Sequence, residues 1–185
     1  MNHRLESDFE VLKTHRLDLL CLTVQELLEM GTNHQVFQNR GFENPHGVIT
    51  GENLPRTNRV ADVREHPENI KWYYRIIVDR SRQVAVGSVS FHGSPDDRGM
   101  VEIGIGIAEA ERGKGYAQEA LAGMWHWVVK QPGVKFLRYT VTPENEPSMA
   151  IIRKFDFPLV GEQIDEEDGL ELIFERAASE YLDLL

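Results

Sequence analysis

The stretch ERGKGYAQEAL, residues 111–121, sets two cations and two glycines at the mouth of a helix. From Gly115 to Lys130, the residues Ala117, Ala120, Leu121, Met124 and Val128 recur at helical spacing and form one apolar stripe. The first turn of such a helix presents unpaired N–H groups and the positive end of the macrodipole. Gly113 and Gly115 let the backbone turn with φ above zero and approach a ligand closely. Arg112 and Lys114 add positive charge at the same place. Together these features describe a cradle for a phosphate group. The loop is not a Walker A sequence, because no G-x-x-x-x-G-K-[ST] can be drawn through it. Nor is it a dinucleotide fingerprint: counted from Gly113, the third glycine position falls on Gln118.

Upstream, MVEIGIGI (residues 100–107) alternates as a strand, with Val101, Ile103, Ile105 and Ile107 on one face and Glu102, Gly104 and Gly106 on the other. Two glycines beside a carboxylate leave bare backbone that a ligand, a helix or a bulge can approach. The strand runs directly into the glycine loop, which favours a ligand crossing both. Before it, KWYYRIIVD (71–79) and QVAVGSVSFHG (83–93) read as strands, and the turns DRSRQ and SPDDRG suit an antiparallel meander. After it come the strand KFLRYTV (135–141), the helix EPSMAIIRKF (146–155), and the strands PLVGEQI and LELIFER around the turn DEEDG. Near the start, RLDLLCL (16–22) is a first strand, and Thr23 with Glu26 forms a capping box for a helix through Met30. Residues 33–69 are broken by Pro45, Gly47, Gly51, Pro55 and Pro67, with a short helix over 60–65. The sum is an α+β fold: about seven strands in a mixed, mostly antiparallel sheet with helices on its faces.

A chain of 185 residues, 41% hydrophobic, fits one domain over residues 1–185 with a sizeable core. Twenty Lys and Arg against thirty Asp and Glu give a net charge of -10, which argues against nucleic acid as a partner and suits a cationic acceptor. Cys21 is the only cysteine, so no internal disulfide forms, and LDLLCLT reads as a buried, inert thiol. MNHRLESDFE lacks the apolar core of a signal peptide, and no segment has the ~20 apolar residues of a membrane span. A cytoplasmic location is the expectation. No His, Cys and Asp cluster has metal-ligand spacing, so no metal is expected.

The glycine loop does not stand alone. Arg112-Gly-Lys-Gly-Tyr-Ala117 fits R/Q-x-x-G-x-G/A, the acetyl-coenzyme A (acetyl-CoA) signature of the GNAT N-acetyltransferases. Some thirty residues on, ENEPSMAIIRKFDF resembles that family's second motif, with Asn145, Ser148, Lys154 and Phe157 at matching positions. The opening LKTHRLDLLCLT looks like the start of the subgroup resembling ribosomal-protein N-terminal acetyltransferases. One position departs from the pattern: Asp156 stands where the family usually has glycine before the final phenylalanine. Asp tolerates a left-handed helix end better than most residues but less well than Gly.

The resemblance implies a sheet splayed between VEIGIGI and KFLRYTV, with the pantetheine arm of acetyl-CoA in the gap. Ile105, Gly106 and Ile107 would pair with the arm by backbone. Arg112, Gly113, Lys114, Gly115, Tyr116 and Ala117 would hold the pyrophosphate. Asn145 would anchor the pantetheine end, and Ser148 would stand near the thioester sulfur. Glu102, on the glycine face, is the candidate base for the attacking amine. His126 falls on a solvated helix face and His92 at a hairpin edge; Trp72, Trp125 and Trp127 read as core or interface. The implied activity is acetyl transfer to a primary amine, first a peptide or protein N-terminus. A small-molecule amine acceptor (amino acid, polyamine or aminoglycoside-like) and a non-catalytic acyl-CoA-binding regulator are the alternatives. Dimers are common in the subgroup, so a homodimer is in keeping with it.

Overall fold

The computed structural model describes residues 11–29, 40–50, 57–165 and 169–182. The N-terminal MNHRLESDFE, Met30, and parts of the irregular segment and of the DEEDG turn lie outside the described residues.

Eight strands form one sheet in the order β1-β2-β3-β4-β5-β6-β8-β7. They are β1 (Leu12–Lys13), β2 (Leu17–Cys21), β3 (Arg75–Asp79), β4 (Val84–Phe91), β5 (Met100–Ile107), β6 (Phe136–Val141), β7 (Leu159–Asp165) and β8 (Gly169–Ala177). Neighbouring strands run antiparallel except β5 and β6, which are parallel. The mixed, mostly antiparallel α+β sheet expected from the sequence is present. Its additional strand is β1, where Leu12 and Lys13 pair with Leu19 and Asp18. The helices are α1 (Val24–Glu29), α2 (Thr57–Glu65), α3 (Tyr116–Val128), α4 (Glu146–Lys154) and α5 (Ala178–Leu182). The capping box opens α1: Glu26 N–H donates to Thr23 Oγ1 at 3.1 Å, and Thr23 N–H donates to Glu26 Oε2 at 2.7 Å.

The strand expected from residue 71 begins only at Arg75. Pro67 instead opens a 3-10 turn, Pro67–Trp72, because proline suits the first position of such a turn and needs no N–H partner there. The aromatic run that follows serves both faces of the sheet. Trp72 packs into one core cluster and Tyr73 and Tyr74 into the other.

Alternation along the strands builds those two clusters. Leu17, Ile77, Val89, Phe91, Val101, Ile103, Leu137 and Tyr139 face α3 and α4, where Leu121, Met124, Trp125, Val128 and Ile152 meet them. On the opposite face Leu22, Ile76, Val78 and Ala85 meet Leu27, Val48, Ile49 and Val63. No residue of β5 or β6 belongs to this second cluster among the described residues, so the glycine face of β5 lies beyond the apolar cover. Cys21 is buried, and that burial pushes its thiol pKa up, as befits an inert side chain. Among the described residues, no helix is long and apolar enough to cross a membrane.

Asp156 adopts φ 53°, the left-handed conformation expected where the motif has glycine. Its carbonyl accepts from Arg176, whereas its carboxylate is 96% exposed and only 3.5 Å from that guanidinium. Removing the Cβ strain should therefore outweigh the loss of the ion pair. We expect Asp156→Gly to stabilise the fold by about 0.5–1 kcal/mol, read from denaturant midpoints at constant m-value.

Candidate active site

The site begins where β5 leaves β6. The two strands pair over three positions, Met100 with Phe136, Val101 with Leu137, and Glu102 with Arg138. From Ile103 onward β5 pairs with β4 alone, while β6 continues to Val141 on β8. Hydrogen bonds to β4 fix which backbone groups face the gap. Glu102 C=O accepts from His92 N–H at 2.8 Å, and Ala108 N–H donates to Val86 C=O at 2.9 Å. Antiparallel alternation then turns the even residues of β5 toward β4 and points the backbone groups of Ile105 and Ile107 into the gap. A β5 edge without a strand beside it is a template for an extended ligand.

The glycine loop lies at the far end of that edge. Gly113 and Gly115 have φ of 77° and 82°, so the turn needs glycine at both. A Cβ on Gly113 would meet nothing within 4 Å, which leaves that side of the loop open. Arg112 Nε donates to Ile107 C=O at 3.2 Å and so ties the loop to the end of β5. The amide of Ala117 belongs to the first turn of α3, as does that of Tyr116. The Tyr116 side chain turns inward, 6% exposed, and offers the loop only its backbone.

An ionic network around two buried carboxylates, Glu111 and Asp79, which pattern reading did not reveal, holds the loop from below. Arg82, on the β3–β4 turn, donates from two nitrogens to the two Glu111 carboxylate oxygens at 3.0 and 2.8 Å. Lys114 Nζ donates to Glu111 Oε2 at 2.7 Å, and His46 Nε2 lies 3.2 Å from Oε1. Arg82 Nε also reaches Asp79, which accepts from the Tyr116 hydroxyl at 2.6 Å. Arg16 closes the other side by donating to the Lys114 carbonyl at 3.0 Å and pairing with Glu119 at 2.7 Å. Thus Lys114, expected from the sequence to face a phosphate, holds its ammonium against Glu111. The hydrogen bonds from Arg82 and Lys114 pull the Glu111 carboxyl down to about 2. Burial alone would raise the Asp79 carboxyl, but hydrogen bonds from Tyr116, Ser81 and Arg82 outweigh it and hold it well below the usual carboxylate range.

On the glycine face, Glu102 stands at the fork. Its Oε1 accepts from Thr140 Oγ1 at 2.6 Å, across the point where β5 and β6 part. His92 Nδ1 lies 3.4 Å from the same oxygen. The His92 ring also covers Gly104, where a Cβ would come within 3.2 Å of Nε2, whereas nothing stands within 4 Å of such an atom on Gly106. His92, read from the sequence as a hairpin-edge residue, is therefore also a neighbour of Glu102. Near Gly106 a pocket of about 740 Å³ opens between Ser88, Ile107 and Arg112 on one side and His46, Val48 and Ile49 on the other.

Asn145 and Ser148 stand at the start of α4, which packs on β6 from the face opposite Glu102. Asn145 Oδ1 accepts from Ser148 N–H at 3.2 Å and caps the helix. The Ser148 side chain faces the phenol of Tyr139; burial raises the Tyr139 pKa, and the Ser148 hydroxyl opposes the rise. His126 is exposed and 2.6 Å from Lys130 Nζ, away from the fork. Trp72, Trp125 and Trp127 pack against Phe91 in the core, with centroid separations of 6.3, 6.0 and 6.2 Å. Among the described residues, no group of three or more His, Cys, Asp or Glu side chains stands close enough to hold a metal.

A sheet parted between β5 and β6, a glycine loop opening α3 and a capped α4 together make up the candidate site. The chain belongs to the GNAT acetyltransferase family: the family model for an acetyltransferase (GNAT) domain matches residues 26–158. It is an acetyl-transferring enzyme of a family that uses acetyl-CoA. An uncharacterized N-acetyltransferase of Bacillus subtilis, YjdG, is 32% identical over 152 residues, spanning 80% of this chain and 90% of that protein. The ribosomal-protein-S5-alanine acetyltransferase from Vibrio fischeri has the same fold, with TM-score 0.65 and 15% identity over 93% of this chain and 98% of its own. A chimera of the spermidine N-acetyltransferase SpeG from Vibrio cholerae and hSSAT follows at TM-score 0.62 and 14% identity, covering 91% and 99%.

The sign of the acid response follows from Glu111. Its folded pKa is depressed from 4.5 to about 2, so its stabilisation is complete above the unfolded value and is lost as pH falls from about 4.5 through about 2. Glu111→Gln should flatten that part of the stability curve, measured by denaturant titration at a series of acidic pH values.

Proposed function

We propose that this enzyme transfers the acetyl group of acetyl-CoA to a primary amine by direct attack on the thioester, with a peptide or protein N-terminal amine as first acceptor. The observation that carries the reading is the parting of β5 and β6 after Glu102, beside a glycine loop that opens α3. Arg112 holds the Ile107 carbonyl, and the free edge of β5 offers the backbone of Ile105 and the N–H of Ile107 to an extended pantetheine arm. Gly106 between them keeps the surface bare. The amides of residues 113–117 and the macrodipole of α3 suit the pyrophosphate, with Arg112 adding charge. Lys114 contributes by fixing Glu111 as well as by its field. The thioester supplies an activated carbonyl carbon and a thiolate leaving group.

The chain's own groups then have defined tasks. An N–H of the free β5 edge can stabilise the oxyanion that develops on the acetyl carbonyl. Glu102, on the glycine face at the fork, takes the amine proton directly or through a water. Thr140 and His92 orient its carboxylate. Ser148, supported by Tyr139, hydrogen-bonds the departing sulfur. Asn145 fixes the first turn of α4 and with it Ser148.

An α-amino group of pKa about 8 is roughly a tenth neutral at pH 7, whereas a lysine-like amine of pKa about 10.4 is less than a thousandth neutral. An N-terminal acceptor thus asks less of a single carboxylate, and the fold of a ribosomal-protein acetyltransferase supports this choice. The equally similar fold of a spermidine acetyltransferase supports a small-molecule amine as the second reading.

Two measurements test the proposal. Gly115→Val, which puts a branched side chain at φ 82° and 3.4 Å from Arg16, should abolish acetyl-CoA binding by calorimetry while circular dichroism shows a folded protein. Glu102→Gln should keep cofactor affinity but lose about 10²–10⁴ in kcat at pH 7, with partial recovery at high pH as more amine arrives neutral. A raised acceptor KM with kcat near wild type would assign Glu102 to positioning instead.

A further inference from the structure

Arg59 is a charged side chain that the transfer chemistry leaves unused. It lies on the inward face of α2, and 8% of the residue is exposed. One guanidinium nitrogen donates to the Tyr74 hydroxyl at 3.1 Å and to Ser90 Oγ at 3.2 Å, and the group stands over the Tyr74 ring at 5.3 Å. All of these partners are neutral. Among the described residues, no carboxylate forms an ion pair with Arg59. A guanidinium keeps its charge when buried, and buried charges are ordinarily paired. Arg75 is also buried without a hydrogen-bond partner, but it sits over Trp127 on the α3 face, away from the glycine face.

Ser90 fixes where the Arg59 charge stands. It pairs with Gly104 across β4 and β5, so its side chain is on the same face as Glu102, Gly104 and Gly106. Gly104 itself has no side chain, and the His92 ring stands over it, with Nε2 3.2 Å from where its Cβ would be. Glu102 is two residues along β5 from Gly104, and such a diagonal neighbour of Ser90 is roughly 7–8 Å away. A cation with neutral partners and the candidate base thus belong to one face of β4 and β5, with the His92 ring over Gly104 beside them.

We infer that the acceptor carries a carboxylate a few bonds from its reactive amine, and that Arg59 binds this carboxylate while Glu102 meets the amine. This rests on the proposed acceptor role of the Glu102 face. The required chemistry is present in a peptide N-terminus with an acidic residue in its first two positions and in a small ω-amino acid. A polyamine instead brings a second ammonium toward the guanidinium, and that like-charge approach selects against it.

The test is thiol release from acetyl-CoA by the full chain with matched acceptors. The peptides Ala-Glu-Ala-Ala-amide and Ala-Gln-Ala-Ala-amide form one pair, aminocaproate and its amide the other, and spermidine is the dication. We expect the charged member of at least one pair to exceed its neutral partner by about 10–100-fold in kcat/KM. Which pair responds distinguishes a peptide from a small-molecule source. Arg59→Met should bring the charged acceptor down to the level of the neutral one, and Arg59→Lys should keep part of the preference. The wild-type comparison needs no variant and decides the matter even where Arg59→Met fails to fold. Transfer to amines with no carboxylate preference, or a preference that persists in folded Arg59→Met, overturns the assignment of Arg59 while leaving acetyl transfer standing. No thiol release with any acceptor overturns both.

Discussion

One strand, β5, has to satisfy different neighbours on its two edges. Its β4 edge is paired from Ile103 to Ile107, but its β6 edge is paired only from Met100 to Glu102. The candidate site is arranged around that unfinished pairing. The apolar face of β5 is held down by α3, so the strand does not need β6 to stay in place. Its glycine face is left bare, and the strand ends within a few residues of the loop that opens α3. An unpaired backbone edge ordinarily invites the wrong partner. Here it lies in a gap inside the sheet, where another sheet edge cannot easily reach it.

The loop depends in turn on charge. Two arginines from distant parts of the chain, Arg16 and Arg82, grip it through Glu119, Glu111 and the Lys114 carbonyl. Arg82 meets Glu111 through two parallel bonds, a geometry that a lysine could not reproduce. Glu111 is 4% exposed, and its own negative charge would oppose a bound phosphate if left uncompensated. Arg82 and Lys114 neutralise it, which leaves the helix dipole, the amides and Arg112 to set the sign of the loop.

Local patterns carried the fold well. The apolar stripe of α3, the alternation of β5 and the Thr23–Glu26 capping box each lie within one element, where spacing decides which side faces in. Within the candidate site, the turn glycines at 113 and 115 and the place of Glu102 on the glycine face were legible in the same way, whereas the cap that Asn145 makes on α4 was not. Side chains that meet across the fold were not. Nothing in the turn DRSRQ says that Arg82 will meet Glu111, and nothing in α2 says that Arg59 will meet Ser90, because neither contact has a period. The KWYY run was read as strand because aromatics favour strands, yet Pro67 had already committed the chain to a 3-10 turn.

The three pairs between β5 and β6 also divide the sheet mechanically. On one side lies the antiparallel run from β1 to β5, on the other the group β6, β8 and β7. So short a seam makes these two groups natural units of sub-global opening, with amide protons beside the fork exchanging more readily than those in the middle of either group. A ligand lying in the gap touches both units, so its binding energy is also cohesion between them. On the proposed reading the substrate is a removable strand, and the sheet is most nearly whole when the enzyme is loaded.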